Sequence, residues 1–195
     1  MGGMENKMIT VFEKKTEEIK KRSVTFTGYR PEKMPFRESA EDKGYFYFRE
    51  CEQRVIERLI ERGYTHFISG MAMGFDTWAS EDILLLKKKN KSLTLECAIP
   101  FRDQAKSWDK ENQDRWANIL SKADRVTLLN KLYNKGCFYE RNRYMVDHAD
   151  VVVCAYDGQK GGTAYTVDYA LKHDRIVIQI NPKTFKVSII SKKTF

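Results

Sequence analysis

The chain has 195 residues, 42% of them hydrophobic and 32% charged, which suits one domain with a sizeable core and excludes a low-complexity or fibrous polymer. Its formal charge of +8 points towards nucleic acid at first sight, but the excess sits at the ends: residues 1–22 carry a net +2 and residues 183–195 a net +4, which leaves +2 for everything between. No apolar run approaches the length that crosses a membrane, and the short run from Met8 to Phe12 runs straight into charges, unlike a secretion signal.

In chain order, residues 1–21 read as a polar extension, with Met1-Gly2-Gly3 looking like an added start before Met4; residues 22–195 read as a single domain. Val24–Thr27 is a first strand that ends at Gly28, and Tyr29–Gly44, with Pro31 and Pro35, is a loop. Tyr45–Arg62 places Phe48, Cys51, Val55, Ile56, Leu59 and Ile60 near helical spacing, and Gly63 closes that helix. A strand follows at His66–Ser69, a helix at Asp76–Lys89, and a strand at Leu93–Ile99 that stops at Pro100. Gln104–Ser121 has a helical pattern, Arg125–Leu129 is a strand, and Cys137–His148 is a helix. The all-apolar run Val151–Ala155 is the fifth strand, Thr163–His173 a helix, and Ile176–Ile180 the sixth strand; Phe185–Ile190 adds an edge. Strands that alternate with helices and are apolar on both faces predict an α/β fold, with a mainly parallel sheet of about six or seven strands and helices on both faces. Ligands of such folds bind beyond the carboxyl ends of the strands.

The candidate site is drawn from those carboxyl ends. Gly161-Gly162-Thr163 follows the fifth strand and opens a helix, so free backbone N–H groups and the helix dipole favour an anion there, with Thr163 as a helix cap the plainer reading. Asp157 lies in the same turn. Gly28 and Arg30 leave the first strand, and an arginine fork suits phosphate. Ser69, Gly70, Met71, Gly74 and Asp76 offer a hydroxyl, bare backbone and a carboxylate that could equally cap its helix. Pro100-Phe101 offers an aromatic face for a base. Arg141 and Asn142 reach in from the helix before the fifth strand. Asp168, on the first turns of its helix, is placed to bind a ribose hydroxyl or act as a base, or simply to sit in solvent. Cys51, Cys97, Cys137 and Cys154 lack CxxC spacing, and the three histidines show no metal or triad spacing, so no metal site is expected and a reduced, cytoplasmic setting is.

These same segments resemble a known family. Phe26-Thr27-Gly28-Tyr29-Arg30-Pro31-Glu32-Lys33, Phe67 to Asp76, Ala98-Ile99-Pro100, Arg141 to Asp147, and Tyr156-Asp157-Gly158 with Gly161-Gly162-Thr163 are similar to the YpsA-like branch of the SLOG superfamily, in the expected order from Val24 to Pro182. The resemblance implies a Rossmann-like fold and a nucleotide or nucleotide-derived ligand. It departs at Tyr29, where that branch usually has histidine. The related Lonely-guy phosphoribohydrolases carry P-G-G-x-G-T-x-x-E. Here Lys160, Ala164 and Tyr165 replace Pro, Gly and Thr, and Asp168 stands at the glutamate. The resemblance therefore implies binding of a nucleotide or an ADP-ribose-like ligand, as a sensor, with no required cofactor. Its alternatives are a phosphoribohydrolase-like N-glycosidase using Asp168 and single-stranded nucleic acid binding in the DprA manner. The expected partner is a small nucleotide-type molecule, with weak nucleic-acid contact through the basic tails, no membrane, and self-association left open.

Overall fold

The computed structural model of the chain describes residues 8–10 and 22–190. They form eight strands, β1 (Met8–Thr10), β2 (Ser23–Gly28), β3 (His66–Ser69), β4 (Thr94–Phe101), β5 (Arg125–Asn130), β6 (Val151–Ala155), β7 (Ile176–Ile180) and β8 (Val187–Ile190). Five helices connect them: α1 (Lys43–Glu61), α2 (Phe75–Lys89), α3 (Lys110–Lys122), α4 (Cys137–Asp147) and α5 (Gly162–Lys172). The strands join into one sheet in the order β1-β5-β4-β3-β2-β6-β7-β8. Every pairing is parallel except β7 with β8, so the sheet is the α/β, Rossmann-like one that the alternation predicts.

Side chains along a strand alternate between faces, and the core divides accordingly. Val24 and Phe26 of β2 with Val151, Val153 and Ala155 of β6 face a large cluster that takes Phe48, Val55, Ile56 and Leu59 from α1, Phe75, Trp78 and Ile83 from α2, and Ile119 and Leu120 from α3. Val152 and Cys154 of β6 point the other way and meet Val146 of α4 and Val167 and Ala170 of α5. Helices α1, α2 and α3 thus cover one face and α4 and α5 the other. β6 is buried at all five positions because both of its faces are covered, which is why it reads as an unbroken apolar run.

Most element ends shift by one or two residues from the sequence reading, and three departures bear on the architecture. β1 lies within the stretch read as a polar extension and pairs with β5 at the edge of the sheet; the run Met8–Phe12 that holds it is too short to show a period. β4 runs through Pro100 to Phe101, pairing Phe101 with Asn130. The proline is accommodated past the end of β3, whose last pair with β4 is Ser69–Cys97. α3 begins at Lys110, because Asp109 caps it by accepting from the Asn112 N–H at 2.9 Å, and residues 102–109 form turns instead of a first helical stretch.

Candidate functional site

From β2 the chain adds β3, β4 and β5 on one side, and then α4 carries it back to β6 on the other side of β2. The loops leaving β2 and β6 therefore diverge, and a crevice opens between them at the carboxyl edge of the sheet. It has a volume of about 380 Å³. Thr27, Gly28, Arg30, Glu32 and Lys33 line it from the β2 exit, Ala72 and Asp76 from the β3–α2 turn, Phe138, Arg141, Asn142 and Met145 from α4, and Gly161, Gly162 and Thr163 from the start of α5.

Arg141 is the most unusual of these residues. It is 7% exposed, and its guanidinium donates to the Gly70 carbonyl and, through Nε, to the Asn142 side-chain oxygen at 2.8 Å. Its carboxylate neighbour, Asp76, stands 3.9 Å away, at the limit of an ion pair. Burial holds the Arg141 pKa below its ordinary value; Asp76 works against that shift and Arg30 with it. Asp76 is also buried, and burial raises its pKa to about 6 against the pull of Arg141, the Ala72 N–H and Arg30. Three cationic side chains, Arg30, Lys33 and Arg141, line the crevice with two carboxyls, Asp76 and Glu32. The lining is therefore net positive, and its most buried cation, Arg141, has its carboxylate partner at the limit of an ion pair.

The glycine turn supplies the opposite wall. Gly161 has φ +152°, a conformation that L side chains rarely adopt, and no side chain caps the helix that follows. The first N–H groups of α5 are therefore free of intrahelical partners, as in any uncapped helix. Thr163 sits inside the helix and is buried, so it is not the cap. Lys33 leans over this turn: its Nζ would lie 3.7 Å from a Cβ built on Gly161. On the far side Asn142 donates to the Thr166 hydroxyl at 2.8 Å, and Thr166 donates to the Gly162 carbonyl at 2.9 Å, which ties α4 to the first turn of α5.

The sequence candidates separate into two groups. Gly28, Arg30, Asp76, Arg141, Asn142, Gly161, Gly162 and Thr163 line one crevice. Ser69, Gly70, Met71, Gly74, Pro100, Asp157 and Asp168 do not. Ser69 is wholly buried, donating to the Asp76 carbonyl at 3.0 Å and accepting from the Met71 N–H at 3.2 Å. Met71 is packed in the core and Pro100 lies within β4. Gly70 is needed to admit Arg141, whose Cζ would lie 2.6 Å from an added Cβ, and Gly74, at φ +88°, is pressed against Pro31. Gly28 lines the crevice, yet an added Cβ there would meet Phe75 at 2.6 Å, so its smallness serves the packing of α2. Asp157 is held by the Tyr29 hydroxyl, by Lys183 at 2.8 Å and by Gln159 at 3.1 Å. Although burial works to raise its pKa, these partners hold it at about 2. Asp168 is exposed, on the outer face of α5.

Two lining residues of consequence, Lys33 and Phe138, are absent from the sequence candidates. Lys33 stands three residues after Arg30, in the short 3-10 turn Pro31–Lys33 that brings it back over the crevice. Phe138 is the first of an i, i+3, i+4, i+7 series with Arg141, Asn142 and Met145, the spacing of a single helix face. His66 is paired with Glu96 at 3.1 Å, the four cysteines are buried, and among the described residues no group of three His, Cys, Asp or Glu comes together to hold a metal ion. Nor is any helix among them long and apolar enough to cross a membrane.

Comparison with known proteins agrees with this architecture. The chain is 32% identical over 131 residues to the uncharacterized prophage-derived protein YoqJ of Bacillus subtilis, covering 60% of this chain and 77% of that one. It is 28% identical over 155 residues to a UPF0398 protein of Halalkalibacterium halodurans, covering 78% and 82%. Among solved structures it resembles DNA processing protein A from Helicobacter pylori, described for its single-stranded DNA binding mode, with a TM-score of 0.57 at 19% identity over 82% of this chain. The same protein from Streptococcus pneumoniae gives 0.57 at 20% over 83%. The chain spans 65% and 51% of those two structures, and at such identity they share its fold. A model of the YpsA family, described as the YspA SLOG family, matches residues 24–185, and the chain belongs to that family.

Proposed function

We propose that this chain binds a nucleotide or a nucleotide-derived molecule of the ADP-ribose type, with a phosphate seated between Arg141, Arg30, Lys33 and the Gly161–Thr163 turn. Family membership and the fold support a nucleotide or nucleic-acid binding role in general. The observation that carries the finer reading is Arg141. Among the described residues the carboxylate paired with this buried guanidinium stands 3.9 Å away, at the limit of an ion pair, and an anion in the crevice would supply a closer counter-charge. The volume falls within the range of small-molecule sites, about 300–1,000 Å³. With Asp168 exposed on the outer face of α5, binding without chemistry, as in a sensor, fits better than N-glycoside hydrolysis.

The test begins with small molecules released from the purified protein by denaturation and identified by mass spectrometry. Calorimetry with AMP and ADP-ribose follows, on the native chain and on Gly162→Asp. A side chain at Gly162 meets open space, so the variant folds, while its carboxylate faces the bound phosphate. At least a tenfold loss of affinity is expected. Unchanged affinity in a folded variant would remove this crevice as the site.

A further inference from the structure

We infer that Phe101, Tyr133 and Phe138 form a nucleobase subsite at the mouth of the crevice, so that the ligand carries an aromatic base and is not a sugar phosphate alone. This rests on the anion-binding reading above. The three rings come from three elements at the carboxyl edge of the sheet: the end of β4, the loop after β5 and the first turn of α4. Their centroids are 5.4 Å apart for Phe101–Tyr133, 5.8 Å for Phe101–Phe138 and 6.5 Å for Tyr133–Phe138, all edge to face. Phe138 is both a member of this cluster and a wall of the crevice.

Hydrophobic burial does not account for the cluster. Tyr133 is 63% exposed and its neighbour Leu132 is 78% exposed, so the loop after β5 holds apolar surface out in water beside a polar pocket. The cluster is nonetheless held in place. The Asn130 side chain donates to the Pro100 carbonyl at 3.2 Å and to Glu140 at 2.8 Å, and the Asn134 side chain accepts from the Gly136 N–H at 2.8 Å. These bonds fasten the end of β4, the loop and α4 to one another. Along the crevice face of α4, Arg141 follows Phe138 by three residues, about 4.5 Å along the axis. A nucleotide whose phosphate lies by Arg141 would then have its base, one sugar away, against these rings. Aromatic side chains bind bases by stacking, whatever the base.

The experiment compares AMP, ribose 5-phosphate and pyrophosphate by calorimetry on the full chain, on Tyr133→Ala and on Tyr133→Phe. In the native chain AMP should bind about 5- to 150-fold more tightly than ribose 5-phosphate, the range that one stacked base supplies. Tyr133→Ala should remove most of that preference, leave ribose 5-phosphate affinity within about twofold, and barely move the unfolding midpoint. Tyr133→Phe should keep the preference. Equal affinities for AMP and ribose 5-phosphate in the native chain would overturn the subsite while the anion reading stands. Equal losses for both ligands in Tyr133→Ala would overturn it as well. If none of the three ligands binds, the anion reading fails and the subsite falls with it.

Discussion

Replacing Arg141 with methionine keeps a long unbranched side chain and removes the charge, so it separates what this residue does for the fold from what it does for a ligand. The guanidinium attracts Asp76 across 3.9 Å, worth about 4 kcal/mol at an effective dielectric constant of 20. Taking an arginine out of water costs several kcal/mol in return. The two contributions nearly cancel, consistent with a pKa that burial holds below its ordinary value despite Asp76. Once Arg141 is gone, Asp76 loses the larger of the charges that restrain its pKa, takes up a proton near neutral pH, and is then neutral instead of a buried unpaired charge. Arg141→Met should therefore change the unfolding free energy by no more than about 2 kcal/mol. Binding should respond quite differently. A hydrogen bond to a charged group is worth about 1.5–3 kcal/mol, so nucleotide Kd should rise about 10- to 150-fold. Urea unfolding and calorimetry with AMP measure the two effects on the same sample. A variant destabilised by more than about 3 kcal/mol whose nucleotide affinity is unchanged would make Arg141 a structural residue and refute the reasoning.

Gly70→Ala should reproduce the binding loss of Arg141→Met without touching a lining residue, because the new Cβ would lie 2.6 Å from the Arg141 Cζ and displace the guanidinium; in the double variant the losses should not add, which a double-mutant cycle by calorimetry reads directly. Affinity should also fall as pH rises from about 6 to 8: Asp76 titrates at about 6 in the empty protein, a bound anion raises that pKa further, and binding therefore takes up a proton; Asp76→Asn should flatten the profile. The same group makes the empty fold less stable as pH rises from about 4 to 6, since its pKa is raised from 3.8 by burial and its stabilising contribution is present only below that range; acid-range urea titrations of the native chain and Asp76→Asn check the sign.

The sheet was legible in the sequence wherever a strand is covered on both faces. Val151–Ala155 reads as a buried strand from its shortness, its valines and the glycine turn that follows, and the glycines or loops that end β2, β3 and β6 mark the carboxyl edge directly. β1 was not legible because an edge strand of three residues needs no apolar alternation. The site was legible to the extent that its residues follow carboxyl ends: Gly28 and Arg30 after β2, Asp76 after β3, Gly161 to Thr163 after β6. Ser69, Gly70, Met71 and Gly74 share that location and composition but do not line the crevice. Spacing cannot distinguish a glycine that admits a ligand from one that admits the protein's own arginine, as Gly70 does for Arg141. Lys33 depends on how a loop returns over the crevice, which local periodicity does not record, whereas Phe138 shares a helix face with Arg141 and Asn142 and could have been reached from them by helical spacing.

The bond from Tyr29 to Asp157, with Lys183 on the same carboxylate, joins the loop leaving β2 to the loop leaving β6 and to the turn after β7. Those are the two lips of the crevice, so its width is set before any ligand arrives. A preshaped site spares the complex the entropy of ordering both loops, and the association rate should carry no slow closing step. The choice of tyrosine adds something further. A histidine in this place would change charge near neutral pH, whereas burial and the Asp157 carboxylate push the Tyr29 hydroxyl to about 12. With Asp157 held at about 2, neither end of the fastening titrates anywhere near physiological pH. The geometry of the opening is thereby insulated from acidity, while the charge inside it, through Asp76, is not.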